Sequence, residues 1–159
     1  QEAMRRLKTE FLLQFDGLSA QENEKLVLIG ATNRPADLDE AARRRFTKRI
    51  LVSLPEAEAR RELLKKLLGS VKCSITAREF DKLAGRTDGF SAADLTALAS
   101  EISLQPLREY DPERLLQSDA NEIRPITVRD AEEILTRSRS SIDPRSVQDC
   151  LQWANQYGT

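Results

Sequence analysis

Apolar positions recur at helical spacing along most of the chain. Ala3, Leu7, Phe11 and Phe15 stand four residues apart, with Met4 and Leu12 beside them. This predicts one amphipathic helix. Asp16-Gly17 is expected to end it, with Gly17 in the left-handed position past the last turn. Ser19 to Lys25 is polar and reads as a loop. Leu26-Val27-Leu28-Ile29 breaks the helical pattern. A short continuous run of branched residues suits a strand buried on both faces, as in a parallel sheet. Arg49-Ile50-Leu51-Val52 is a second strand candidate. Between the two lie a polar turn, Ala31 to Pro35, and a short helix from about Leu38 to Arg45.

From Pro55 onward the pattern is wholly helical. Pro55 is expected to open a helix carrying Leu63, Leu64, Leu67 and Leu68, ended by Gly69. Thr76 and Glu79 have capping-box spacing, and Ser91 and Asp94 a weaker version of it. The helix after Ser91 carries Leu95, Leu98, Ala99 and Ile102, and Pro106 should end or kink it. Asp111-Pro112, Thr127 and Asp143-Pro144 mark three further helix starts. The last helix brings Trp153 and Tyr157 to its end. Pro55 is therefore the seam between a part of an α/β unit and a helical bundle. The expected division is 1–54, 55–142 and 143–159.

Composition removes several kinds of chemistry. In 159 residues there is no histidine, so His-dependent triads and His-ligated zinc are excluded within these residues. Two distant cysteines, Cys73 and Cys150, make neither a zinc site nor a disulfide framework. They suit a reducing compartment. Lys+Arg 25 against Asp+Glu 26 leaves a net charge of -1. No global field calls for nucleic acid or an anionic membrane, so any basic surface is local.

Three places could carry chemistry. Asn33 follows the C-terminal end of the first strand candidate, the edge where open α/β sheets bind ligands. Its carboxamide could orient a water or a phosphate oxygen; the plain alternative is a turn asparagine bonded to its own backbone. Arg43, Arg44, Arg45, Lys48 and Arg49 put five basic residues within seven positions. Arginine forks grip phosphate, but a charge run also suits a solvated face. Without aromatic residues interleaved, a nucleic-acid patch ranks below both. Gly89 to Asp94 forms a helix start whose free N–H groups could meet an anion or a base edge, or be simply capped by Ser91. No G-x-x-x-x-G-K-[S/T] loop and no strand ending in Asp-Glu is present.

Taken in order, these segments resemble the AAA ATPases, and among them the microtubule-severing group. LVLIGATNRPADLDEAARRRF from Leu26 to Phe46 is similar to that family's second region of homology. KRILVSLPEAEARRELL, TDGFSAADLTALASE and DPRSVQDCLQWANQYG extend the resemblance over nearly the whole chain. It implies the C-terminal part of a P-loop NTPase large domain, an α/β fold, followed by an all-α lid, with 143–159 as a helix packing back on the large domain. By resemblance Asn33 is sensor 1, Arg44 and Arg45 are paired arginine fingers acting in the neighbouring subunit, and Ala92 and Ala93 bring backbone close to adenine. Ala92 stands where the family has glycine. The implied cofactors are ATP and Mg²⁺, whose main binding loops precede this stretch in the family. The implied partners are tubulin C-terminal tails and further copies of the chain in a hexamer, without nucleic acid, and with membrane contact only through other regions. The implied location is the cytoplasm, on microtubules, and also the nucleus. These 159 residues alone are expected to hydrolyse nothing. The family's sheet order puts another strand between the two seen here, so they would flank a vacant slot. Rival readings are a remodelling ATPase of the ESCRT-disassembly type and a non-enzymatic helical module binding an acidic partner through Arg43 to Arg45.

Overall fold

The computed structural model describes residues 2–19, 27–111 and 122–158. By contacts the chain divides into two units, Gln1–Leu51 with Gln148–Thr159, and Val52–Val147. Each is described by itself.

The second unit holds the core. Helix α3 (Ala57–Leu68) packs on α4 (Ala77–Arg86) and α5 (Ala92–Leu104), and α6 (Val128–Arg137) packs on α4 and α5. Leu64, Leu68, Leu83, Leu95, Ile102, Ile126 and Ile134 are each almost fully buried between them. Burial of each such side chain stabilises by roughly 1.5–3 kcal/mol. The stripe on α3 is the one its leucines predict. Its first residue is Ala57 with Glu56 as N-cap, so Pro55 precedes the helix rather than opening it. Glu79 accepts hydrogen bonds from the amide and hydroxyl of Thr76 at 2.7 and 2.8 Å. α5 stops at Leu104, and Pro106–Glu109 continues as a 3₁₀ turn. After the undescribed residues, Ile126 enters a single parallel bridge with Cys73, its amide donating to Lys72 and its carbonyl accepting from Ser74. The helix start expected at Asp111-Pro112 falls largely outside the described residues.

Arg60 is buried in this unit, 5% exposed. Its Nε and Nη2 donate to the Ala84 carbonyl at 3.2 and 2.9 Å, and Nη1 donates to the Pro55 carbonyl at 2.7 Å. One guanidinium thereby joins the chain before α3 to the end of α4. Arg124 forms a second fork. It donates to both Glu109 oxygens, at 2.8 and 2.5 Å, and to both Asp130 oxygens at 2.8 Å.

The first unit contains α1 (Glu2–Ser19), a 3₁₀ turn Pro35–Asp37, α2 (Glu40–Arg45) and most of α7 (Pro144–Tyr157). Two expectations are corrected here. α1 runs through Gly17 to Ser19, and Gly17 does not take a left-handed conformation; a mid-helix glycine costs only about 1 kcal/mol, too little to stop the helix. Neither strand candidate forms a strand among the described residues, Leu26 lying outside them. Val27 to Ile29 and Ile50 to Val52 are extended and open to solvent, with Ile29 and Ile50 each 85% exposed. A strand is held by its ladder. Among the described residues neither segment has a neighbour that supplies one. The stripe of α1 is likewise uncovered at Leu7 and Phe11.

Candidate functional site

The five basic residues from Arg43 to Arg49 divide by environment, with Lys48 exposed. Asp39 caps α2, accepting from the Ala42 amide at 2.9 Å, which suits a short helix start. Arg43 turns inward. Its Nη1 donates to the Leu38 carbonyl at 3.0 Å, and its guanidinium lies 4.9 Å from the centre of the Tyr157 ring, within cation–π range. Arg49 bridges two helix ends: Nη1 donates to the Tyr157 carbonyl at 2.7 Å and Nη2 to the Arg43 carbonyl at 2.5 Å. Arg45 is half-buried and donates to the Ala41 carbonyl at 3.0 Å. Arg44 faces solvent. Its Nη2 pairs with a Glu40 carboxylate oxygen, a turn earlier at 2.5 Å, with both side chains well exposed. Exposed pairs of this kind contribute little and exchange readily. Arg44 is thus the arginine of the run best placed to reach another molecule.

Asn33 is exposed at a bend, after Thr32, whose hydroxyl accepts from the Arg34 amide at 3.0 Å. The Asn33 carbonyl faces the Cys150 thiol of α7 at 4.0 Å. α7 therefore lies against both the Asn33 turn and the last turn of α2. Its Trp153 and Tyr157 rings are 5.3 Å apart, and the Trp153 indole N–H is buried without a hydrogen-bond partner.

Ala92 and Ala93 lie in the other unit, exposed in the first turn of α5. Gly89 precedes them at φ 76, a backbone conformation that glycine adopts without strain. Ser91 and Asp94 cap the helix reciprocally, Asp94 N–H to Ser91 Oγ at 3.1 Å and Ser91 N–H to Asp94 Oδ2 at 2.8 Å. Ala92 and Ala93 stand in the first helical turn, where backbone N–H groups have no intrahelical acceptor. Asp94 also accepts from the Ser141 amide at 3.3 Å, and Ser140 Oγ donates to the Gly89 carbonyl at 2.7 Å. Burial raises the Asp94 pKa, but hydrogen bonds from Ser141 and Ser91 outweigh it and hold the carboxyl below its ordinary range. The strap 138–143 is thereby tied to the start of α5. Among the described residues no group of three or more carboxylates or thiols is gathered to hold a metal.

Asn33, Arg44 and Arg45 thus share one unit, and Ala92 and Ala93 belong to the other. The sequence did not single out Arg49 with Tyr157, or Asp94 with the serines of the strap. Their partners are distant in sequence, and no spacing rule links them.

Residues 1–54 match the model of the ATPase family associated with various cellular activities (AAA), and residues 78–122 match the AAA+ lid domain. Spastin of Danio rerio is 45% identical over 157 residues, covering 99% of this chain and 28% of that protein. Spastin of Homo sapiens is 44% identical over 157 residues, covering 99% of this chain and 26% of that protein. A FIGL-1 AAA domain solved in complex with ADP superposes with a TM-score of 0.90 at 38% identity, over 97% of this chain and 52% of that one. A structure described as the basis for katanin self-assembly superposes with a TM-score of 0.78 at 35% identity, over 97% of this chain and 54% of that one. The chain spans about a quarter of the length of the curated relatives it matches and about half of the solved domains.

Proposed function

The chain belongs to the AAA ATPase family, as part of an AAA domain followed by an AAA lid, and from that premise we propose that it serves an ATP-driven microtubule-severing enzyme. The observation that carries this reading is identity of about 45% with spastins along 99% of the chain. The ADP complex of the FIGL-1 domain supports nucleotide as the ligand, and the katanin structure supports assembly of several copies.

The residues then take complementary roles. The Ala92 and Ala93 amides at the start of α5 meet the adenine edge. The Asn33 carboxamide, open to solvent beyond an extended segment, orients the attacking water. Arg44 leaves its exposed pair with Glu40 and reaches the nucleotide of the adjoining subunit. Arg45, half-buried, supports it at shorter reach. A guanidinium in trans stabilises charge developing on the transferred phosphoryl oxygens, an effect worth about 10³–10⁵ in rate in well-studied NTPases. It also makes turnover depend on assembly, for which a hexamer is the arrangement proposed. ATP hydrolysis would then drive the pull on tubulin tails. Magnesium, when bound, would neutralise phosphate charge.

The test is replacement of Arg44 and Arg45 by alanine in the full-length protein. Turnover should fall at least 10³-fold, while nucleotide affinity, read with a fluorescent ATP analogue, changes little. Normal turnover in assembled R44A/R45A protein would remove the assignment.

A further inference from the structure

We propose that Tyr157, at the end of α7, is a positioning residue for Arg44. The proposal rests on the reading of Arg44 as an arginine acting in a neighbouring subunit. α2 has six residues, too few to hold a helical geometry unaided. Its placement is therefore set by what grips it. Asp39 fixes the first turn. At the last turn, Arg49 spans from the Arg43 carbonyl to the carbonyl of Tyr157, which lies 108 residues from Arg49 in sequence. Arg43 completes the grip by laying its guanidinium 4.9 Å from the Tyr157 ring centre. Trp153, one turn earlier on α7, packs against the same ring at 5.3 Å.

The consequence for Arg44 is geometric. Successive residues of a helix project about 100° apart. Anchoring Arg43 on Tyr157 fixes the rotation of α2 about its axis, and so fixes the direction in which Arg44 leaves the surface. Removing the ring leaves the backbone link through Arg49 and the local bond from Arg43 to the Leu38 carbonyl, but it takes away the contact that seats the Arg43 guanidinium against α7, and α2 gains rotational freedom. A displacement of about 1 Å in a catalytic group costs on the order of 10²-fold in rate.

The test uses the full-length protein. ATP turnover is measured for Y157A, Y157F, R44A and the double variant, with Q152A as an exposed control on α7, each normalised to the assembled fraction. Y157A should lower kcat by about 10- to 100-fold, with KM for ATP within about twofold. Y157F keeps the ring and should restore turnover. Y157A should add nothing to R44A. In parallel, the emission of Trp153, the one tryptophan of these 159 residues, isolated by subtracting the spectrum of a W153F variant, should shift to the red in Y157A and stay in place in Y157F. A kcat loss that vanishes on normalisation, a KM rise without a kcat loss, or effects that multiply with R44A would overturn the proposal. Low turnover in R44A beside normal turnover in Y157A overturns this proposal alone. Normal turnover in R44A overturns the reading of Arg44 and this proposal with it.

Discussion

Replacing Arg60 by alanine should destabilise the lid unit more than any other single charge removal there. The guanidinium is 5% exposed and donates to two backbone carbonyls, Ala84 and Pro55. Hydrogen bonds from a charged donor contribute about 1.5–3 kcal/mol each, or roughly 3–6 kcal/mol for two acceptors. Part of that is offset, because the variant no longer removes a cation from water. Thr87 Oγ1 also reaches the Ala84 carbonyl, at 3.2 Å, so that acceptor is not orphaned. The net expectation is a loss of about 2–4 kcal/mol. With a urea slope of about 1.5 kcal/mol/M, the midpoint should fall by roughly 1.5–2.5 M. Asp88, the ion-pair partner at 3.3 Å, is 89% exposed. D88A should therefore stay within about 0.5 kcal/mol of the parent. R60K, which keeps the charge but not the fork, should fall between the two. The assay is urea denaturation followed by far-ultraviolet circular dichroism. Equal losses in D88A and R60A, or a loss below about 1 kcal/mol in R60A, would refute the claim that the carbonyls hold Arg60 in place.

Two further outcomes test the energetics. Hydrogen bonds from Arg124 hold both the Asp130 and Glu109 carboxyls below their ordinary range, against the opposing effect of burial. A depressed carboxyl pKa contributes stability that is complete above the unfolded value, about 4, and is lost as pH falls through the folded value. The Tm gap between parent and R124A should therefore be constant from pH 7 to about 5 and close below about 4; a gap that widens in acid would contradict the sign. The location of the core gives a second contrast. Leu95 is fully buried and Ile50 is 85% exposed, so L95A should cost about 2–5 kcal/mol in urea denaturation and I50A almost nothing. A comparable cost for I50A would mean that the extended segment is packed.

Legibility in the sequence followed the range of the interactions. The Thr76 and Ser91 caps lie three residues from their partners, and both carboxylates are engaged as the spacing predicts. The α3 and α5 stripes depend only on helical period. The strand candidates failed to form because a strand is completed by neighbours, and none is supplied among the described residues. Gly17 does not stop α1, because the cost of a glycine within a helix is small. The basic cluster read as one patch, and the structure separates it. Arg43 and Arg49 are committed to the end of α7, a partner that lies over a hundred residues away, and Arg44 keeps an exposed, exchangeable pair with Glu40. Arg60 sat unremarked on a leucine-rich helix, since a lone arginine there reads as part of a solvated face.

If these residues serve a motor that severs microtubules, filaments should break where the protein acts. Fluorescence imaging of surface-held, labelled microtubules with the purified full-length protein reads this outcome. With ATP, breaks should appear along the filament shaft, absent with a non-hydrolysable analogue and absent in the R44A/R45A variant. Intact filaments in the presence of protein that is actively hydrolysing ATP would contradict it and would assign the motor to a different substrate.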